Sequence, residues 1–171
     1  MTRPILNLDE AIPFPIGGPG ATVPERFRGA TVAPISHRIG ARMLGYNLTE
    51  VPPGKAAFPF HHHHGNEEMF LILSGTGTLR YGTETHPVRA FDVIACPPGG
   101  PEVAHQLVNT SATEPLRYLS VGTTVSPDLV QYPDSGKAGA AAYFGRDENG
   151  RPVALRLLNR VEANLDYWDG E

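Results

Sequence analysis

Between Pro59 and Gly77 the chain reads PFHHHHGNEEMFLILSGTG: four consecutive histidines, two acids and then five apolar residues in a row. Met69 to Leu73 is apolar at every position rather than alternating, which predicts a strand buried on both faces. The fold must therefore deliver a cluster of imidazoles and a carboxylate to the head of a core strand. Imidazole nitrogens and carboxylate oxygens are ligands of first-row transition metals. In extended chain the side chains alternate, so a His-x-His pair puts two imidazoles on one face.

Nineteen glycines and seventeen prolines, with no repeat period, cut the chain into short segments. Such a pattern suits many turns between short strands. Ala41 to Val51 reads as the first long strand, ended by Pro52-Pro53-Gly54. Phe58 to His64 is extended, Gly65-Asn66 is a turn signal, and the strand Met69 to Leu73 ends at Ser74-Gly75. Thr78 to Tyr81 and Glu84 to Val88 flank Gly82-Thr83 and predict a tight hairpin. Asp92 to Ala95, His105 to Asn109 and Pro115 to Val121 complete a series spaced like an all-β sandwich or barrel. No segment has the periodicity of an amphipathic helix.

Three regions are expected within one domain: an arm over residues 1–38, a barrel core over 39–125 and an extension over 126–171. The arm is expected to be irregular, because Pro4, Pro13, Pro15, Pro19, Pro24 and Pro34 interrupt it. Its Ile5, Leu6, Leu8, Ile12, Phe14, Ile16 and Phe27 predict that it wraps the barrel or a partner rather than hanging free. In the extension, Ala140 to Phe144 and Val153 to Leu158 are expected to pair across a turn at Glu148-Asn149-Gly150. Tyr167 and Trp168 are expected to be docked, since an exposed tryptophan is costly.

A net charge of −4 leaves no electrostatic footprint for nucleic acid. Cys96 is the only cysteine, so no internal disulfide can form and a small buried hydrophobe is its simplest role. No apolar run approaches a membrane span, and no secretory leader opens the chain, so a cytoplasmic location is expected.

The histidine stretch resembles the first motif of the cupin superfamily: His-x-His, three or four residues, Glu, six residues, Gly. Glu68 and Gly75 bracket six residues; four separate His63 from Glu68 and three separate His64 from it. Gly54 precedes His61 with one residue more than the motif's usual five. The second motif, Gly, five residues, Pro-x-Gly, two residues, His, three residues, Asn, is matched by Pro97-x-Gly99 and by His105 with Asn109. Two departures stand out: Phe91 occupies the place of the opening glycine, and five residues rather than two separate Gly99 from His105. The two motifs together cover residues 54–109. The resemblance implies a double-stranded β-helix, the cupin jelly-roll barrel, with a metal inside its mouth.

By that resemblance His61, His63, Glu68 and His105 are the expected ligands of one divalent ion per chain, Zn, Mn, Fe or Ni. Simple alternation argues for another pair, because His62, His64 and Glu68 share parity. The turn signal Gly65-Asn66 intervenes, however, and similar cupins carry a non-histidine at the second position. His62 and His64 are then expected to face away, in a supporting or surface role. The ordinary reading of four histidines is a solvated polar loop; Glu68, the strand behind it and the distant His105 tip the balance toward metal.

The resemblance implies no single reaction, because fold and function separate readily. The expectation is a metal-dependent enzyme on a small polar substrate, similar to a sugar-phosphate isomerase or epimerase. The alternatives are a metal-dependent dioxygenase and a non-catalytic small-molecule binding or sensing protein. A homodimer is expected, because Met69, Leu71 and Leu73 would face outward and need cover.

Overall fold

The computed structural model describes residues 3–148 and 152–171. Among these there are thirteen strands, short 3-10 turns and no α-helix. In chain order the strands are β1 (Phe14–Pro15), β2 (Thr31–Pro34), β3 (Leu44–Val51), β4 (His62–His63), β5 (Glu68–Ser74), β6 (Thr76–Tyr81), β7 (Glu84–Arg89), β8 (Val93–Cys96), β9 (His105–Val108), β10 (Leu116–Thr123), β11 (Asp128–Tyr132), β12 (Lys137–Arg146) and β13 (Pro152–Arg160). A six-stranded sheet runs β1-β2-β3-β10-β5-β8, a three-stranded sheet runs β7-β6-β9, and a four-stranded sheet runs β13-β12-β11-β4. The all-β expectation holds, and single bridges at Ala56–Val108 and His61–His105 tie the histidine segment to β9.

The apolar run behaves as its composition requires. Phe70 and Ile72 point into the core with Val51, Leu79, Val88, Ile94, Leu107, Leu116 and Tyr118. Each such buried side chain stabilises the fold by about 1.5–3 kcal/mol. On the other face of β5, Leu73 joins Leu119, Leu48, Ala33 and Ile35, and Leu6, Leu8 and Ala11 of the arm pack over them. The arm thus wraps its own barrel. It is less irregular than expected: β2 pairs with β3 from Thr31↔Glu50 to Pro34↔Asn47. The tail contradicts its expectation. Tyr167 is 83% and Trp168 73% exposed, so neither docks on its own chain.

Both motif ends have structural work. Gly75 turns the chain at φ +83°, and a side chain there would run into the Pro115 carbonyl. Asn109 is fully buried; its amide donates to the carbonyls of Val51 and Glu114, both at 2.8 Å, and its carbonyl accepts from Ser111 N–H at 2.9 Å. It closes the loop between β9 and β10 against β3. The turn from β7 to β8 needs a left-handed residue, and Phe91 adopts it at φ +75° while 83% exposed. The position keeps the conformation that a glycine would take without strain.

The extension contributes an element with no clear sequence signal. β11 pairs with β4 on one side, Val130 opposite His63 and Gln131 opposite His62, and with β12 on the other. β12 and β13 form the expected hairpin, with Ala140 opposite Leu157. Its Asn149-Gly150 turn lies outside the described residues. Arg80 on β6 forks onto Asp134, at 2.8 and 3.0 Å, and clamps the extension to the barrel.

Strain at Phe91 gives a direct test. Phe91→Gly should raise the stability of the chain by about 1 kcal/mol, read as a higher urea midpoint at unchanged slope. A lower midpoint would show that the exposed phenyl ring contributes more than the backbone strain costs.

Candidate metal centre

The histidine run breaks register before it reaches β5. The chain bends at His64-Gly65, and Asn66 pins the bend to the end of β10. Its side-chain oxygen accepts from Thr123 Oγ1 at 2.8 Å and Val125 N–H at 2.7 Å, and its amide donates to the Val125 carbonyl at 3.1 Å. Parity therefore does not carry from the histidines to Glu68.

It is the odd pair that turns toward Glu68. Nε2 of His105, His63 and His61 lies 3.0, 3.4 and 3.5 Å from the same oxygen, Glu68 Oε2. His61, Glu68 and His105 offer ligand atoms that all lie within 4.8 Å of one another. The structure thus brings together all four residues singled out in the sequence. His62 and His64 go elsewhere: Nδ1 of His62 meets the Gly99 carbonyl at 2.7 Å, and Nε2 of His64 meets Gln131 Oε1 at 2.9 Å. His62 is not a surface group, since only 1% of it is exposed. It braces the Pro- and Gly-rich loop before β9, whose Gly99 N–H also donates to the His63 carbonyl.

The far side of each converging ring is held as well. His61 Nδ1 meets the Pro59 carbonyl at 2.9 Å, His105 Nδ1 the Val103 carbonyl at 3.1 Å, and His63 Nδ1 the Asp128 carboxylate at 2.6 Å. Each of these partners can only accept, and so can Glu68 on the other side, so a neutral ring satisfies one of the two; with its proton on Nδ1 it keeps the rear hydrogen bond and leaves Nε2 free to ligate. All three Nε2 lone pairs are then turned on a carboxylate. Such a set of three neutral nitrogens and one anionic oxygen repels itself until a cation or a proton enters, and it is the donor chemistry of a transition-metal site.

Protonation answers that repulsion in the metal-free chain. Burial works to lower the His63 pKa, but Glu68 and then Asp128 outweigh it and raise it to about 8. Burial likewise works to raise Glu68, and hydrogen bonds from His105, His61 and His63 hold it well below the usual carboxylate range. Cys96, behind Glu68 in the core, has its thiol pushed up to about 12, first by burial and then by Glu68, so it is no nucleophile at neutral pH.

A cavity of about 220 Å³ adjoins the cluster, lined by His63, Asn66, Glu68, Thr123, Asp128 and Tyr143 among others. A larger hollow of about 340 Å³ lies under the arm, against Leu8, Glu50 and Arg117, and contains no histidine. Asp128 and Tyr143 were not legible as site residues, because both belong to the extension and reach the histidines only through β11 pairing. In the loop before β9, Glu102 accepts from Gly100 N–H at 2.9 Å, and the Arg42 backbone carbonyl accepts from Thr124 Oγ1 at 3.2 Å.

The pH dependence follows from the His63 shift. A folded pKa of about 8 against an ordinary 6.5 means that its ion pairs add stability below pH 6.5 and lose it as pH rises through about 8. Glu68 stays ionised across that window, so its own titration does not enter. In metal-free protein the stability gap between wild type and Glu68→Gln should therefore narrow as pH rises from 6.5 to about 9, measured by urea denaturation. A gap that stays constant over this range contradicts the assignment.

Comparison with known proteins bears on the fold. Residues 47–122 match the cupin domain family. A sugar phosphate isomerase of the cupin superfamily from Silicibacter pomeroyi has a similar structure, with TM-score 0.74 and 24% identity over 97% of this chain and 98% of that one. A protein provisionally named a sugar phosphate isomerase, from Acidithiobacillus ferrooxidans, gives TM-score 0.70 and 24% identity over 96% of both chains. The polyketide cyclase RemF of Streptomyces resistomycificus gives 0.57 and 22% over 72% of this chain and 82% of that one. At these identities the likeness is one of fold. A search of curated proteins finds no match. Residues 47–122 thus match the cupin domain family, and the chain shares the double-stranded β-helix fold of these structures.

Proposed function

We propose that the protein is a metal-dependent enzyme acting on a small polar substrate, of the sugar-phosphate isomerase or epimerase type, with His61, His63, Glu68 and His105 holding one divalent ion. The observation that carries the reading is the convergence of three Nε2 atoms on one carboxylate oxygen, each ring pinned from behind by an acceptor. A bound divalent ion would polarise a substrate carbonyl or hydroxyl as a Lewis acid. The chain supplies the rest. The three imidazoles and Glu68 would fix the ion's place, and the adjoining cavity has His63, Asn66, Thr123 and Asp128 in its wall, groups that can hydrogen-bond a hydroxylated ligand. Tyr143 lines this cavity, and its hydroxyl accepts from Arg156 at 3.1 Å while keeping its own proton to donate. The fold shared with the Silicibacter pomeroyi isomerase supports the substrate class.

The purified protein should bind about one divalent ion per chain, measured by elemental analysis and calorimetry. Affinity should fall with pH as the ligand imidazoles protonate. His61→Ala, His63→Ala and His105→Ala should each lose most of the metal, and His64→Ala should keep it. Protein that refuses Zn2+, Mn2+ and Fe2+ at neutral pH would sink the reading. With metal bound, isomerisation of sugar phosphates is the activity to assay, and oxygen consumption would redirect the assignment to a dioxygenase.

A homodimer completes the proposal. Alternation along β11 to β13 turns Leu129, Ala140, Leu155 and Leu157 away from the face that carries Asp128, and Leu129, Leu155 and Leu157 are 41–51% exposed. Tyr167 and Trp168 add further uncovered apolar surface. Light scattering at micromolar concentration should give a dimer, and Leu157→Lys should shift it to monomer. A monomeric wild type would leave these side chains exposed to water and overturn the dimer.

A further inference from the structure

Two of the three converging imidazoles are aligned by their own neighbourhood. His61 and His105 each donate from Nδ1 to a backbone carbonyl two residues earlier, Pro59 and Val103. His63 is different. Its Nδ1 meets a charged side chain 65 residues away, Asp128 Oδ2 at 2.6 Å. Asp128 is the first residue of β11 and lies beyond the residues that match the cupin domain. Its position rests on the pairing of β11 with β4 and on the Arg80–Asp134 clamp.

A second observation concerns the other carboxylate oxygen. Asp128 Oδ1 is buried and has no hydrogen-bond partner among the described residues. Burying a carboxylate with an idle oxygen costs stability. Among the described residues His63 is the one hydrogen-bond partner of its side chain, with no rival donor to draw the carboxylate off the ring. A carboxylate behind a ligating imidazole fixes the tautomer and raises the basicity of the opposite nitrogen.

We propose that Asp128 is the positioning residue of the metal centre: it holds His63 as the Nδ1–H tautomer with the Nε2 lone pair aimed at Glu68, and thereby makes the extension a working part of the site. Metal binding and docking of β11 are then coupled through one hydrogen bond. The consequence for metal rests on the proposed function; the tautomer does not.

The test uses full-length protein. 15N NMR of the metal-free wild type at about pH 9.5, where histidines are neutral, should show His63 protonated on Nδ1. Asp128→Asn should retain that tautomer, because its amide oxygen still accepts, and Asp128→Ala should lose it. Titration with Zn2+ should show affinity about 10–100-fold weaker for Asp128→Ala, with Asp128→Asn in between. Gln131→Ala serves as the docking control: it removes a β11 contact to His64 and should leave both the His63 tautomer and Zn2+ affinity unchanged. An Nε2–H tautomer in the wild type overturns the proposal, as does a wild-type tautomer in Asp128→Ala. So does a Gln131→Ala variant as weak for Zn2+ as Asp128→Ala, which would reduce Asp128 to a docking contact. Should Asp128→Ala fail to fold, the wild-type tautomer and the Zn2+ affinity of Asp128→Asn decide. A wild type with the Nδ1–H tautomer but no Zn2+ binding would leave the Asp128 assignment standing and remove the metal reading instead.

Discussion

Glu68 Oε2 is the point on which the site depends. Three imidazoles point at it from two strands and one bridging segment, and each is fixed from behind by an acceptor. A carboxylate this deep would ordinarily take up a proton, because burial penalises its charge. Here the histidines outweigh that penalty and keep it ionised. The cost of the arrangement in the metal-free chain is carried by protonation of His63, and a divalent cation would replace that proton with a stronger and better-shaped charge.

The geometry around that oxygen is a product of the barrel. β5 must present Phe70 and Ile72 to the core, which turns Glu68 to the same face at the strand's first position. β9 must pair with β6, and that register places His105 opposite Tyr81 and beside His61. Asn66 then bends the chain so that His61 and His63, rather than His62 and His64, arrive on that side. Each step uses an ordinary requirement of packing or hydrogen bonding, and the donor set is their sum.

The extension changes how the domain is to be understood. A barrel of eight or so strands would satisfy the core, yet β11 lies against β4 and brings Asp128 behind His63 and Tyr143 to the cavity wall. The same four-stranded sheet turns an uncharged face outward, with Leu129, Leu155 and Leu157 partly exposed. One side of the sheet thus faces the histidines, and the other leaves apolar side chains partly exposed. Cover on that second side would stiffen β11 and, through it, the His63–Asp128 hydrogen bond.

The sequence by itself determined the β class, the succession of strands along the barrel and a short list of ligand candidates, Glu68, His105 and one pair from the run His61 to His64. It could do so because these rest on short-range signals: an unbroken apolar run, turn dipeptides such as Gly82-Thr83, and fixed spacings between Glu68 and Gly75 and between His105 and Asn109. It even carried the odd choice at Phe91, a residue in a glycine's conformation, though only the structure showed that the conformation survives the substitution. Tertiary structure decided the rest. The choice of His61 and His63 over their neighbours depends on a bend held by Asn66 and Thr123, 57 residues apart. The role of Asp128 depends on a strand pairing between β4 and β11 that no local pattern encodes. The fate of Tyr167 and Trp168, exposed where burial was expected, was undecidable from composition, because a chain's apolar content fixes how much surface seeks cover and not which molecule supplies it.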